Sequence, residues 1–200
     1  TSFGPAARSQ DIIFEENFDD GVADGFEPDS PLWHVNDSGQ YEIEHWGYGI
    51  RSSSYFGQYL WNDFHLSLDL LIQGSVHSII DFRIQENDNM YTFILRDKPY
   101  RDVFLFKVID GVRHQLKSAE FSSTIPSQHH IELIAQKNHF RFMVDDELAL
   151  EHTDQDSPFL SGRQALISFT GGVAQHQLLQ VDNIKVVSTI VSPETTAEDQ

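Results

Sequence analysis

The sequence predicts an all-β fold in which two antiparallel sheets pack face to face as a sandwich, with little helix. Period-two alternation of apolar and polar residues dominates the chain. Turn residues interrupt it at short, regular spacing. No segment longer than about ten residues carries a clean helical stripe. Twelve or so short strands with this punctuation are the pattern of a sandwich.

The central segments show the alternation best. Leu66, Leu68, Leu70 and Ile72 alternate with His65, Ser67, Asp69, Leu71 and Gln73, as a strand with one buried face requires. Ser78, Ile80, Phe82 and Ile84 oppose His77, Ile79, Asp81 and Arg83. Tyr91, Phe93 and Leu95 oppose Thr92, Ile94 and Arg96, and Phe104, Phe106 and Val108 oppose Leu105 and Lys107. These four segments read as one meander. Its turns fall at Glu86-Asn87-Asp88-Asn89, Asp97-Lys98-Pro99 and Asp110-Gly111. Further strands are expected at Ile12 to Phe18, Trp33 to Val35, Tyr41 to His45, His130 to Ala135, His139 to Val144, Leu148 to Glu151, Gln164 to Phe169 and Gln177 to Val187. Asp145-Asp146 would make a tight turn.

Charge narrows the possible partners. The 200 residues hold 31 Asp and Glu against 13 Lys and Arg, a formal net charge of -18. Nucleic acid and anionic membrane surfaces need clustered cations, so neither is an expected partner. No apolar run reaches the roughly 18 residues of a membrane span, so no membrane insertion is expected. The absence of cysteine removes disulfides, thiolate zinc sites and a cysteine nucleophile. Residues 1–50 carry eleven acids and only Arg8, residues 145–200 ten acids and two bases, while 51–144 balance ten against ten. Most cations therefore sit on the central strands, the better place to hold a polar ligand.

Residues 1–10 read as an N-terminal tail, 11–187 as the sandwich domain, and 188–200 as an acidic C-terminal tail or linker. Both ends are rich in Ser, Thr, Pro and acids without periodicity. This is what a domain joined to others in a longer chain would show.

The order of short motifs is itself informative. Phe14-Glu15-Glu16-Asn17-Phe18-Asp19-Asp20, Trp33-His34-Val35, Ile80-Asp81-Phe82-Arg83 with Tyr91 following, an Asp-Gly hairpin, and Val181-Asp182-Asn183-Ile184 on the last strand together resemble the concanavalin A-like (laminin-G-like) jelly-roll superfamily. Within it the pattern is most similar to 3-keto-disaccharide hydrolase-like domains and fructan-binding carbohydrate modules. The resemblance spans about residues 11 to 187. It implies adjacent first and last strands, a concave sheet that binds sugar, and an extracellular or cell-surface setting. It also implies a structural calcium held by Glu16 and Asp182, an ion that takes six to eight oxygens.

The chain departs from the glycoside-cleaving jelly rolls, since no E-x-D-x-x-E or E-x-D-x-E run is present. Glu42-Ile43-Glu44 comes nearest but lacks a third acid, so no catalytic residue is assigned. The expected ligand-binding residues are Asp69, His77, Asp81, Arg83, Arg96 and Lys107 on the polar side of the meander, with Trp46 and Tyr48 as rings. Carboxylates and guanidinium groups bind vicinal hydroxyls, and aromatic faces cover sugar C–H surfaces. Ile79, Ile94 and Leu105 interrupt that face as the floor of a partly covered groove would. The leading expectation is a non-catalytic carbohydrate-binding module of a larger protein. A glycoside-cleaving domain using Asp69, Asp81 or Glu44, and a protein-interaction or sensor domain burying Ile79, Ile94 and Leu105, are the alternatives.

Overall fold

The computed structural model describes residues 11–47, 49–74, 76–96, 100–121, 127–170 and 176–189. Among them there are fifteen strands and no helix. The expected tails, apart from Ser188 and Thr189, lie outside the described residues, as do Tyr48 and the turn Asp97-Lys98-Pro99.

The strands form two antiparallel sheets. The back sheet runs β13 (Glu147–Thr153), β12 (His139–Val144), β11 (Gln128–Gln136), β6 (Phe64–Gln73), β15 (His176–Ser188), β4 (Tyr41–Trp46) and β3 (His34–Val35). β1 (Ile12–Glu16) also pairs with β15. The front sheet runs β10 (Val112–Glu120), β9 (Asp102–Ile109), β8 (Met90–Arg96), β7 (Val76–Ile84), β14 (Arg163–Thr170), β5 (Arg51–Phe56) and β2 (Phe26–Pro28). Long β15 takes β4 along its first half and β1 along its second, so the first and last strands are adjacent as expected.

Between the sheets lies an apolar core built by the expected alternation. Leu66, Leu68, Leu70 and Ile72 of β6 face Ile80, Phe82, Tyr91 and Phe93 of the front sheet, all nearly free of solvent. Phe93 stacks on Phe142 at 4.1 Å between ring centroids, and Tyr91 meets Phe140 at 4.6 Å. A second aromatic group, Phe18, Trp33 and Tyr41, closes the other end, with Phe18 and Trp33 5.3 and 5.0 Å from Tyr41. Each such side chain contributes roughly 1.5–3 kcal/mol by leaving water.

Three expectations are corrected by this arrangement. The four central segments do not form one meander, because β6 belongs to the back sheet between β11 and β15, while β7 to β10 form the front meander. Alternation shows which side chains are buried, not which strand lies alongside. The crossing between sheets uses Gly74 at φ +82°, where a Cβ would meet the His176 carbonyl oxygen at 2.7 Å.

β9 is turned over: Val103, Leu105 and Lys107 point inward, and Phe104 and Phe106 outward. Both sides of Val103-Phe104-Leu105-Phe106 are apolar. Cross-strand partners decide, with Phe93 opposite Leu105 and Tyr91 opposite Lys107.

The third correction is a bulge on β7. The register with β14 shifts between Arg163 and Ala165, and Arg83 adopts φ +51°. Arg83 therefore enters the interior beside Phe82, and Ile84 moves to the outer face. Gly162 makes room for this, since a Cβ there would lie 2.3 Å from the Arg83 carbonyl carbon.

Three strands have no sequence signal. β5 (Arg-Ser-Ser-Ser-Tyr-Phe) buries small polar residues: Ser52 accepts from the Trp33 indole at 3.1 Å, and Ser54 pairs with Tyr41 at 2.8 Å. β10 is a largely exposed edge, and β2 is three residues ending in a proline, both lacking an apolar alternation. The hairpin turns are as read: Asp110 and Gly111 both have positive φ (49° and 76°), as do Asp145 and Asp146 (53° and 65°).

Candidate functional site

The outer face of the front sheet carries a second apolar cluster. Ile79, Ile84, Ile94, Ala165 and Ile167 are buried there although no strand lies over them, and Tyr55, Met90, Phe104, Phe106 and Phe169 pack around them. Long rim side chains cover the short central ones. On the outer face of the back sheet, by contrast, His65, Ser67, Asp69 and Leu71 remain partly exposed.

The front face holds a groove of about 380 Å³, lined by Arg51, His77, Ile79, Ile94, Arg96, Phe104, Phe106, Arg113 and Phe169. That is within the range of small-ligand sites. Its polar groups are held in place by their neighbours. Arg51 donates to the Asp81 carboxylate at 3.0 Å. Asp81 lies beneath the surface at 2% exposure, and burial pushes its carboxyl above the ordinary range against the pull of Arg51.

Arg96 donates to Asp102 through Nε at 2.7 Å and through a second nitrogen, and its guanidinium covers Phe104 at 4.8 Å from the ring centre. Burial, aided by Arg96, lowers the His77 pKa. The imidazole is thus neutral at pH 7 and offers one donor and one acceptor. Arg113 is exposed and, among the described residues, has no ion-pair partner.

Of the residues expected to bind ligand, His77 and Arg96 line this groove and Asp81 lies beneath it. The others do not share the face. Asp69 is on the back sheet, where it accepts from Asn183 at 2.9 Å and pairs with His130 at 2.7 Å. Trp46 is on the back sheet as well, 74% exposed with the His176 ring at 5.0 Å.

Arg83 and Lys107 point between the sheets and tie down loops. Arg83 is 0% exposed. It donates to the carbonyls of Phe159 (2.9 Å), Asn62 (3.0 Å) and Lys137, with Asp63 at 3.5 Å. Lys107 pairs with Asp154 at 2.7 Å and donates to the carbonyls of Ser157 (3.0 Å) and Asp156. Tyr91 donates to the same Asp154 oxygen at 2.6 Å. Burial would raise the Asp154 carboxyl, but the bonds from Lys107, Tyr91 and the Asp156 amide outweigh it and hold it below the usual value. Burial likewise brings Arg83 down to about 10, which leaves it charged at pH 7.

Sequence reasoning missed Arg51, Phe104, Phe106, Arg113 and Phe169. Arg51 and Arg113 sit on two of the strands without a signal, and the sequence phase of β9 points Phe106 to the core, whereas the strand is turned over. Ile79 and Ile94 are the groove floor as expected, whereas Leu105 is core.

The other acidic candidates lie on the back sheet. Glu42 is nearly buried and accepts from Asn36 at 2.7 Å and Gln180 at 2.6 Å, while exposed Glu44 is 3.4 Å from His176. Glu16 accepts backbone amides on both oxygens, from Phe18 at 2.8 Å and Asp24 at 2.9 Å. Asp182 accepts from the Asn183 amide at 2.7 Å. Both oxygens of Glu16 and one of Asp182 are thus engaged by backbone amides. Among the described residues no three His, Asp or Glu gather as a metal site. No helix is long and apolar enough to cross a membrane.

No family model matches the chain, and no curated protein matches it. Solved structures do. The carbohydrate-binding module CBM66 from Bacillus subtilis superposes with a TM-score of 0.64 at 19% identity, covering 82% of this chain and 96% of that one. The catalytic domain of an endo-1,3-β-glucanase (laminarinase) from Thermotoga petrophila gives 0.67 at 12% identity, covering 91% and 99%. A protein of unknown function with a galectin-like fold from Bacillus subtilis gives 0.70 at 12%, covering 90% and 97%. One architecture thus carries both a binding module and an enzyme, and the fold of this chain is the concanavalin A-like jelly roll.

Proposed function

We propose that this protein is a non-catalytic glycan-binding module that acts outside the cell or at its surface as part of a larger protein, holding sugar in the front-sheet groove. The observation that carries this reading is the groove itself. Its apolar floor (Ile79, Ile94) and aromatic walls (Phe104, Phe106, Phe169) suit the C–H faces of a sugar ring. Neutral His77 and the forked donors of Arg51 and Arg96 suit its hydroxyls.

Glycoside cleavage needs two working carboxyls about 5 to 10 Å apart across the bond. The two acids near this groove are already engaged: Asp81 lies beneath the floor with Arg51, and Asp102 holds Arg96. The binding module and the glycan hydrolase among the similar structures support a glycan ligand without choosing between the two roles.

One observation favours the hydrolytic reading. Asp69 and Asp182 are direct cross-strand partners on the back sheet. Asp182 is raised by burial and by its acidic neighbours Asp69 and Asp19, the kind of environment that makes a general acid.

One screen tests both readings: glycan-array and polysaccharide pulldown, with calcium and with chelator, and with released sugar assayed in the same mixtures. Binding without release, weakened in Phe106→Ala, is the expected result. Sugar release that disappears in Asp182→Asn would replace the binding module with the enzyme.

A further inference from the structure

The two faces of the sandwich differ in charge. Leaving out inward-facing Arg83 and Lys107, the strands of the front sheet hold five Lys and Arg against four Asp and Glu, while those of the back sheet hold two against nine. In a chain of net charge -18 the front strands are thus close to neutral while the back strands are strongly acidic. Three of these cations, Arg51, Arg96 and Arg113, line the groove, and no carboxylate lines it with them.

Arg51 and Arg96 have acidic partners of their own, Asp81 and Asp102. Arg113 does not. It projects from β10 opposite Val108 on the outer face and lines the groove. One guanidinium fork therefore stands outside any ion pair among the described residues, beside an apolar, aromatic floor.

We infer that the groove selects an anionic sugar, a glycan bearing carboxylate or sulfate, with Arg113 receiving the anionic group while the ring lies on Phe104 and Phe106. This rests on the glycan-binding reading and adds the substituent that is recognised. A guanidinium meets a carboxylate or sulfate through paired, charge-assisted hydrogen bonds, which a neutral hydroxymethyl group cannot return. The acidic back face repels the same ligand, so an anionic chain is steered to one side of the protein.

The test measures affinity calorimetrically for matched oligosaccharides. Uronate oligomers are compared with their carboxyl-reduced forms, and sulfated β-glucan oligomers with unsulfated ones. The expected result is about tenfold or more preference for one anionic form, with that ratio falling near one in Arg113→Gln. Circular dichroism on the exposed variant checks that it is folded. The back-face variant Trp46→Ala is expected to keep the preference.

Which pair shows the preference distinguishes uronate from sulfate. Equal or tighter binding of the neutral forms would overturn anion selection while leaving the glycan-binding reading intact. A preference that survives in Arg113→Gln would overturn the role given to that residue. Binding of neither form, in a screen that includes other neutral glycans, would overturn both readings together.

Discussion

Arg83 and Lys107 on one side, and Arg51, Arg96 and Arg113 on the other, are the same kind of residue on the same sheet, yet they do different work. The first two turn inward and spend their donors on carbonyls of the loops around Asn62, Lys137 and residues 156–159. The last three turn outward to line a groove. A bulge and the orientation of one strand separate the sets. Cations in the interior hold the fold because leaving their partners unpaired is costly, while cations at a groove are available to ligand.

The largest effect should follow loss of an inward cation. Arg83→Met strips three loop carbonyls of a buried donor and breaks the contact with Asp63, and should cost about 3–5 kcal/mol in urea unfolding. A loss under about 1 kcal/mol, with glycan binding abolished, would erase the distinction between the two sets. Lys107→Met should cost about 2–4 kcal/mol by the same reasoning.

Lys107→Met should also change the acid limb of stability. In the native protein Asp154 is held below its unfolded value of about 3.9. Its contribution is complete above that pH and is lost as the pH falls through the lower, folded value. The variant should move this loss to higher pH.

Asp81 sharpens the comparison with the opposite sign. Its carboxyl is raised by burial, so the stability linked to its protonated form is present below about pH 3.9 and declines as the pH rises through the folded value. Asp81→Asn should flatten that decline in melting temperature measured from pH 4 upward. An unchanged slope would place the titration elsewhere. On the outward side, Phe106→Ala should weaken glycan binding about tenfold with little change in melting temperature. The smallest effect is expected at Trp46→Ala on the back face, within about 0.5 kcal/mol in stability and without change in affinity.

Legibility in the sequence followed the same division. β6 and β8 were readable because one side of each is consistently apolar. β5 and β10 were silent, since buried serines and an exposed edge leave no hydrophobic period, and with them went Arg51 and Arg113. The groove floor at Ile79 and Ile94 was legible as apolar residues out of phase with the core. Arg83 was misplaced because a bulge reverses alternation without any change in composition, and Phe106 because Val103-Phe104-Leu105-Phe106 is apolar on both sides.

By itself, the sequence determined that this chain forms a β-sandwich, that its hairpins turn at Asp110-Gly111 and Asp145-Asp146, and that its cations concentrate in the middle. These are local properties of period, turn chemistry and composition. Only the tertiary structure decided that β6 leaves the meander for the back sheet, that Arg83 and Lys107 face inward, and that arginines from β5, β8 and β10 meet across one groove. Pairing between strands distant in sequence is settled by cross-strand packing and register, and those interactions have no counterpart in the order of residues along a single strand.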